Sequence, residues 1–323
     1  QGNASASETY PIHLGRGVRL TASACFAGRS GAPVFAIDQD TTSVSVSIES
    51  IGADRSGRSA GASDGIYVGS TAAGASPTLT GYAVIRGVSV GVRIDGGTVN
   101  GNFTITDVRD TGILCRSDTR PTAASSYRGS VTVSRAATND VFAGTNCTLS
   151  GSYHLGENTG TCSMPKLNNF GIYAESNASV TANVYTYCMN SDGVSLRNNP
   201  ALAINSPTVT INSGRFQRSG CAGIYAEVGR ITINGTTFDH NHWGVIQRSA
   251  NSSTDPLMSL VNLTGTTSGG SISRNTFACN NQSEPGACCT ASSCPTGYNI
   301  WNNSGLRLDA TNNYWEDSPV SVC

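Results

Sequence analysis

The stretch "VTINSGRFQRSGCAGIYAEVGRITINGTTFDHNHWGVIQRS", residues 209–249, contains one short design twice. V-T-I at 209–211 and I-T-I at 231–233 alternate apolar with polar residues. A polar corner follows each, and a glycine then opens a second alternation, GIYAEV at 223–228 and GVIQRS at 244–249. Alternation with a period of two is a strand pattern. Along the rest of the chain the glycine-led unit recurs as GIYVGS at 65–70, GVRIDG at 91–96, GILCRS at 112–117, GIYAES at 171–176, GVSLRN at 193–198 and GLRLDA at 305–310. DVFAGT at 140–145 fits with Asp140 in place of glycine. The steps between unit starts are 26, 21, 28, 31, 22, 30, 21 and finally 61 residues. Units of this size carry two or three strands of three to five residues. Such strands bury no face alone and gain a core only by stacking.

Side chains alternate across a strand, so positions two and four of each unit face one side and positions three and five the other. Position two reads Ile66, Val92, Ile113, Val141, Ile172, Val194, Ile224, Val245 and Leu306, an unbroken apolar column. Position four, mostly apolar, reads Val68, Ile94, Cys115, Ala143, Ala174, Leu196, Ala226, Gln247 and Leu308. Both columns are expected to point inward. Position three, expected outward, reads Tyr67, Arg93, Leu114, Phe142, Tyr173, Ser195, Tyr225, Ile246 and Arg307. Position five alternates in sign along part of the stack, with Glu175, Arg197, Glu227 and Arg248 in succession.

The 209–249 pattern and the ending GLRLDATNNYW at 305–315 resemble right-handed parallel β-helix repeats of the pectate-lyase-like superfamily. They are most similar to secreted bacterial members that have no clear catalytic motif. The likeness covers roughly residues 60–315, and YPIHLGRGVRLTA at 10–22 resembles the first strands of such helices. It implies one all-β solenoid over residues 1–323: N-terminal cap coils at 1–60, repeat coils at 61–315 and a tail at 316–323. About ten or eleven coils at about 4.8 Å each predict a rod roughly 50 Å long. Departures from the 21-residue step predict corner loops near 117–130, 145–170, 250–260 and 278–298.

Twenty Lys plus Arg against 21 Asp plus Glu give a net charge of -1, so there is no positive field to attract nucleic acid. No run of eighteen apolar residues forms a membrane span. The chain opens at Gln1 without an initiator Met or an apolar leader, which reads as a mature secreted chain acting outside the cell or at its surface. Eleven cysteines fit an oxidising compartment. The disulfide candidates are Cys147, Cys162, Cys188, Cys221, Cys279, Cys288, Cys289 and Cys294. The odd count leaves one thiol unpaired within the chain or paired with another chain, Cys323 being one candidate. The 279–294 segment has a vicinal cysteine pair and no nearby histidine, unlike a zinc site.

For function, the outward columns admit several readings. Tyr67, Phe142, Tyr173 and Tyr225 form either a glycan-stacking platform or a stripe covered by a loop or a neighbouring subunit. Glu175 and Glu227, two coils apart, lie within reach of an inverting glycosidase pair. Arg197 between them would hold both ionised and leave no general acid. Asp239, His240 and His242 in FDHNHWG are a second catalytic alternative, since His-x-His on a strand would put both rings on one face; a polar turn explains them equally well. No Asp-Asp pair, G-x-S-x-G or phosphate-binding loop occurs. The expectation is a secreted, non-catalytic structural protein without cofactor or metal that self-associates into an oligomer or filament. The alternatives are a polysaccharide-binding adhesin and a polysaccharide lyase or glycoside hydrolase.

Overall fold

A computed structural model describes residues 12–13, 19–26, 32–37, 43–51, 63–69, 76–117, 123–157, 162, 168–197, 206–248, 260–262, 267–268, 271–272, 275–280, 299–303, 310 and 313–315. The chain divides into two compact units, Gln1–Ser152 and Tyr153–Cys323. Both are built as a parallel β-helix. Each coil gives one strand to one sheet and the next strand to a second sheet, and successive coils pair in parallel.

In the first unit, one sheet orders β1 (Ile12–His13), β3 (Phe35–Ile37), β5 (Asp64–Gly69), β7 (Val90–Asp95), β9 (Thr111–Cys115) and β11 (Asn139–Ala143). The other orders β2 (Arg19–Phe26), β4 (Ser43–Ile51), β6 (Thr78–Arg86), β8 (Thr98–Thr106), β10 (Ser125–Ser134) and β12 (Cys147–Gly156). The position-two column is a register row: Phe35 opposes Ile66, Ile66 opposes Val92, Val92 opposes Ile113 and Ile113 opposes Val141, all buried. Phe35 extends the row into a unit that has no glycine. β10 begins inside the loop expected at 117–130, and β12 lies inside the one expected at 145–170. Their Ser, Gly and Thr content resembles a loop, while alternate Tyr127, Val131, Val133, Leu149 and Tyr153 supply a buried face.

The second strand of each coil is longer than expected, nine or ten residues in β6, β8, β10 and β12. It bends at stacked glycines. Gly101 sits opposite Gly81 and Gly129, whose φ values are 139° and 140°. A Cβ at Gly129 would lie 1.9 Å from the Gly101 carbonyl oxygen, so only glycine lets the coils stack here.

In the second unit, one sheet orders β13 (Phe170–Ala174), β15 (Asp192–Leu196), β17 (Ala222–Ala226), β20 (Trp243–Arg248) and β25 (Ile300–Asn303). The other orders β14 (Ser179–Tyr187), β16 (Thr208–Gln217), β19 (Thr236–Asp239), β24 (Thr276–Ala278) and β26 (Tyr314–Trp315), with β18 (Arg230–Ile233) pairing β16 and β21 (Leu260–Asn262). β22 (Thr267–Ser268) and β23 (Ser271–Ile272) form an antiparallel pair. The inward row runs Ile172, Val194, Ile224, Val245 and then Ile300. The place after Val245 therefore belongs to Ile300, with Asn299 where the other units carry glycine. It falls in the 61-residue gap before GLRLDA, of which only Ala310 is among the described residues. On the other sheet Phe216, Phe238, Phe277 and Trp315 stack ring on ring at 5.2, 4.7 and 4.5 Å.

Corners are fixed by left-handed residues and by side-chain amides. After the strands of the second sheet, Cys188, Arg218, His240 and Cys279 all have positive φ, one per coil. The N–H groups of Cys188, Arg218 and His240 donate to the next coil, as from His240 to the Ala278 oxygen. Buried Asn241 donates through Nδ2 to Asn280 Oδ1 at 2.9 Å, and Asn280 donates likewise to Asn299 at 2.9 Å. The ladder satisfies corner backbone groups that stacking would otherwise bury unpaired.

Cys115–Cys147 and Cys162–Cys188 are disulfides, and Cys221 and Cys279 are each disulfide-bonded. Cys115 was read only as a core position; its inward direction is what lets it meet Cys147 at the start of β12. Cys288, Cys289, Cys294 and Cys323 lie outside the described residues.

Candidate functional site

The charged and aromatic side chains singled out in the second unit converge on the outer face of its short-strand sheet. Register puts Tyr173 opposite Ser195, Ser195 opposite Tyr225, Tyr225 opposite Ile246 and Ile246 opposite Trp301. The expected outward column is therefore real as a row, but much of it is closed. Ser195 and Ile246 are buried, and Tyr225 is only 6% exposed within an apolar cluster with Cys221, Ala222, Trp243 and Ile246. Tyr173 remains half-buried.

Arg197 does much of the closing. Its guanidinium carbon lies 3.8 Å from the Tyr225 ring centroid. Nε donates to Ser195 Oγ at 2.9 Å, and Nη2 to Asp192 Oδ2 at 3.2 Å. The side chain thus turns back along its own strand towards Asp192. Asp192, which the sequence reading passed over, is fully buried and also accepts from Ser195 Oγ and the Ala222 N–H. Burial pushes its carboxyl above the ordinary range, against the pull of Arg197, Ser195 and Ala222. A repeat-aware reading could have flagged it, because Asp64 occupies the same place before a unit glycine and pairs with Arg93 at 3.1 Å.

Glu175 is buried and Glu227 half-buried. Both act on Tyr173, whose hydroxyl is pushed up chiefly by burial, then by Glu175 against Arg197, with Glu227 adding to it. Arg248 Nη1 donates to the Tyr225 hydroxyl at 3.4 Å. Two carboxylates thus lie among two guanidiniums, while Asp192, the carboxyl beside them whose pKa is raised, is sealed from any substrate. A general acid needs both a proton and access.

In the first unit, Tyr67 and Phe142 are half-buried and lie over the glycines two residues on. A Cβ at Gly69 would lie 2.5 Å from the Asp95 backbone oxygen and 2.8 Å from the Tyr67 hydroxyl, and one at Gly144 would meet the Phe142 ring at 2.8 Å. Position five is glycine there because the neighbouring coil's backbone at Gly69 and the Phe142 ring at Gly144 leave no room for a Cβ.

His240 and His242 do not share a face. His240 sits at the left-handed corner, partly exposed, with Nδ1 on Asp239 Oδ1; His242 is fully buried, its ring 4.0 Å from that of Trp243. The corner between them breaks the strand alternation that the His-x-His reading required. Asp239 also accepts from Arg215 at 3.0 Å and Gln217 at 2.7 Å. Burial raises its pKa, but the bonds from His240, Arg215 and Gln217 outweigh it and hold the carboxyl below the usual range. Asp239, His240 and Cys279 bring one donor atom each within 4.8 Å of one another. Cys279 is in a disulfide, so it offers no thiolate to a metal.

Comparisons with protein families, with curated proteins and with solved structures found no match. Among the described residues no helix is long and apolar enough to cross a membrane.

Proposed function

We propose that the chain is a secreted, non-catalytic β-helix of the pectate-lyase-like type that serves as a structural unit of an extracellular or cell-surface assembly. The observation that carries this reading is the last described rung. β25 and β26 end their sheets, each pairing on one side only among the described residues. That rung shows Trp301 39% exposed and Tyr314 59% exposed, at the end of the ring stack through Phe277 and Trp315. A terminal strand with exposed aromatic side chains is a surface on which another strand can dock. Disulfides fit the oxidising exterior. Light scattering and electron microscopy of native, non-reduced protein test it. Rods or filaments that disappear in Trp301→Glu/Tyr314→Lys support the reading, and a monomer at all concentrations overturns it.

A second reading, polysaccharide binding, is favoured by a different feature. His154 and Tyr185 stack face to face at 4.7 Å and 8°, both exposed. Flat exposed rings suit the apolar face of a sugar. Retention on a polysaccharide panel that is lost in Tyr185→Ala would shift the assignment to an adhesin.

A further inference from the structure

Asn-Gly occurs twice in the chain, at Asn100–Gly101 and at Asn234–Gly235. In this dipeptide a side-chain amide carbon stands beside a backbone nitrogen that no Cβ shields, so the two can close a five-membered ring. The fold gives the two copies opposite settings. Asn100 and Gly101 lie in the middle of β8. Asn100 opposes Thr80 and Arg128, and Gly101 opposes Gly81 and Gly129, so both residues are held extended by a coil on each side. The Gly101 oxygen also accepts from the Tyr127 hydroxyl at 2.9 Å. Bringing the Gly101 nitrogen onto the Asn100 side chain would break both ladders.

Asn234 and Gly235 form the joint between β18 and β19, outside either ladder. Most polar groups around it are engaged. The Asn234 N–H donates to the Ile211 oxygen at 2.9 Å, and the Asn234 backbone oxygen accepts from Thr236 Oγ1 at 2.9 Å. Asn275 bridges the joint, donating through Nδ2 to the Ile233 oxygen at 3.0 Å and accepting through Oδ1 from the Thr236 N–H at 3.0 Å. Two groups are left over. Asn234 is only 6% exposed, yet its Oδ1 has no hydrogen-bond partner among the described residues. The Gly235 N–H donates to none of them either, and Gly235 turns through a left-handed φ of 52°. Buried amide groups are normally paired. Here the two unpaired ones belong to the carbon and the nitrogen that would react.

We propose that Asn234–Gly235 is a self-modification site, at which the chain deamidates without an enzyme. The Gly235 nitrogen gives its proton to hydroxide and attacks Asn234 Cγ. The N–Cγ bond forms, the Cγ–Nδ2 bond breaks, and Nδ2 takes a proton from water and leaves as ammonia. Water then opens the cyclic imide at either carbonyl, giving aspartate or isoaspartate. One water is consumed and one ammonia released, with no oxidation or reduction. Aspartate puts a charge where Oδ1 now has no donor, and isoaspartate lengthens the joint by one backbone carbon, so reacted molecules are less stable than fresh ones.

The test incubates the folded, full chain at pH 8, samples it over several weeks and locates the conversion of amide to acid by peptide mass spectrometry. The same chain in concentrated urea is the reference, since unfolding removes the difference between the two dipeptides. In the folded protein Asn234 is expected to react about tenfold faster than Asn100, and Gly235→Ala to slow it about tenfold, because the added Cβ crowds the attacking nitrogen. Reaction in the folded chain at Asn100 first, or at both sites equally, overturns the proposal. So does an Asn234 that stays intact while the urea-treated chain reacts. If Gly235→Ala does not fold, the order in the wild-type chain decides: Asn234 first supports the site.

Discussion

Arg197 covers the ring of Tyr225 at 3.8 Å while its Nη2 donates to the fully buried carboxylate of Asp192. One side chain therefore joins an ion pair, an aromatic face and the serine between them. Removing it would leave the Asp192 carboxyl buried without its cation. Breaking a buried pair costs about 3–5 kcal/mol; Arg197 is 27% exposed, so we expect about 2–3 kcal/mol for Arg197→Ala by urea unfolding at neutral pH.

The pH dependence of that loss has a definite sign. Asp192 has a folded pKa above its unfolded value, so the folded state binds the extra proton and the strain of the ionised carboxylate is relieved as pH falls through the raised pKa. Without Arg197 the folded pKa rises further. The gap between wild type and Arg197→Ala is therefore expected to narrow from pH 7 towards pH 4. A gap of constant size would mean that Arg197 acts through packing on Tyr225 alone.

Tyr225 and Tyr173 separate packing from recognition on the same row. Tyr225 is buried with Trp243 and Ile246, so Tyr225→Ala is expected to cost about 3–5 kcal/mol, measured by denaturant unfolding. Tyr173 is half-buried, and Tyr173→Ala is expected to cost less than half as much. Equal losses would show that the whole row is core.

How far these features could be read from the sequence follows from what each residue reports. Ile66, Val92, Ile113, Val141, Ile172, Val194, Ile224 and Val245 each sit beside a unit start in a period-two pattern, and all are buried in register. Phe35 and Ile300 hold the same column but lack the glycine that marked all the others except Val141, so they were passed over. The glycine bends at Gly81, Gly101 and Gly129 were invisible because nothing in a strand pattern says where a coil turns. Outward positions were harder still. Alternation gives the direction in which Tyr225 and Arg197 leave the backbone, but the burial of one and the backward turn of the other depend on neighbouring coils. Asp192 was legible only through its likeness to Asp64.

The glycine stack gives a graded prediction. At Gly129 a Cβ would lie 1.9 Å from a backbone oxygen of the neighbouring coil, with φ at 140°. At Gly96 φ is 78° and a Cβ would meet only the Ala123 side chain, at 3.2 Å. Gly96→Ala therefore carries mainly left-handed strain, about 1 kcal/mol. Gly129→Ala must separate two stacked strands and is expected to prevent folding, which soluble yield and circular dichroism would show.

The asparagine ladder is the most stringent test of the corner architecture, because its first member has no spare group. Asn241 Oδ1 accepts from the Ser219 N–H at 3.0 Å, and Nδ2 donates to the Phe216 oxygen and to Asn280 Oδ1, both at 2.9 Å. Alanine deletes all three bonds and strands a buried N–H and a buried carbonyl, each costing about 1–3 kcal/mol, so Asn241→Ala is expected to lose about 3–4 kcal/mol. Asn241→Asp keeps the acceptor for Ser219 but turns the donor into a second acceptor facing Asn280 Oδ1 and the Phe216 oxygen. Ionised, it places a charge against two oxygens; protonated, its hydroxyl can donate to one of them. Its folded pKa must then exceed its unfolded value, and the variant regains stability as pH falls through that raised value. Asn241→Ala gains nothing from the same change. Unfolding curves for both variants at pH 7 and pH 4 separate these outcomes, and parallel losses at the two pH values would show that Asn241 fills space without carrying the corner's hydrogen bonds.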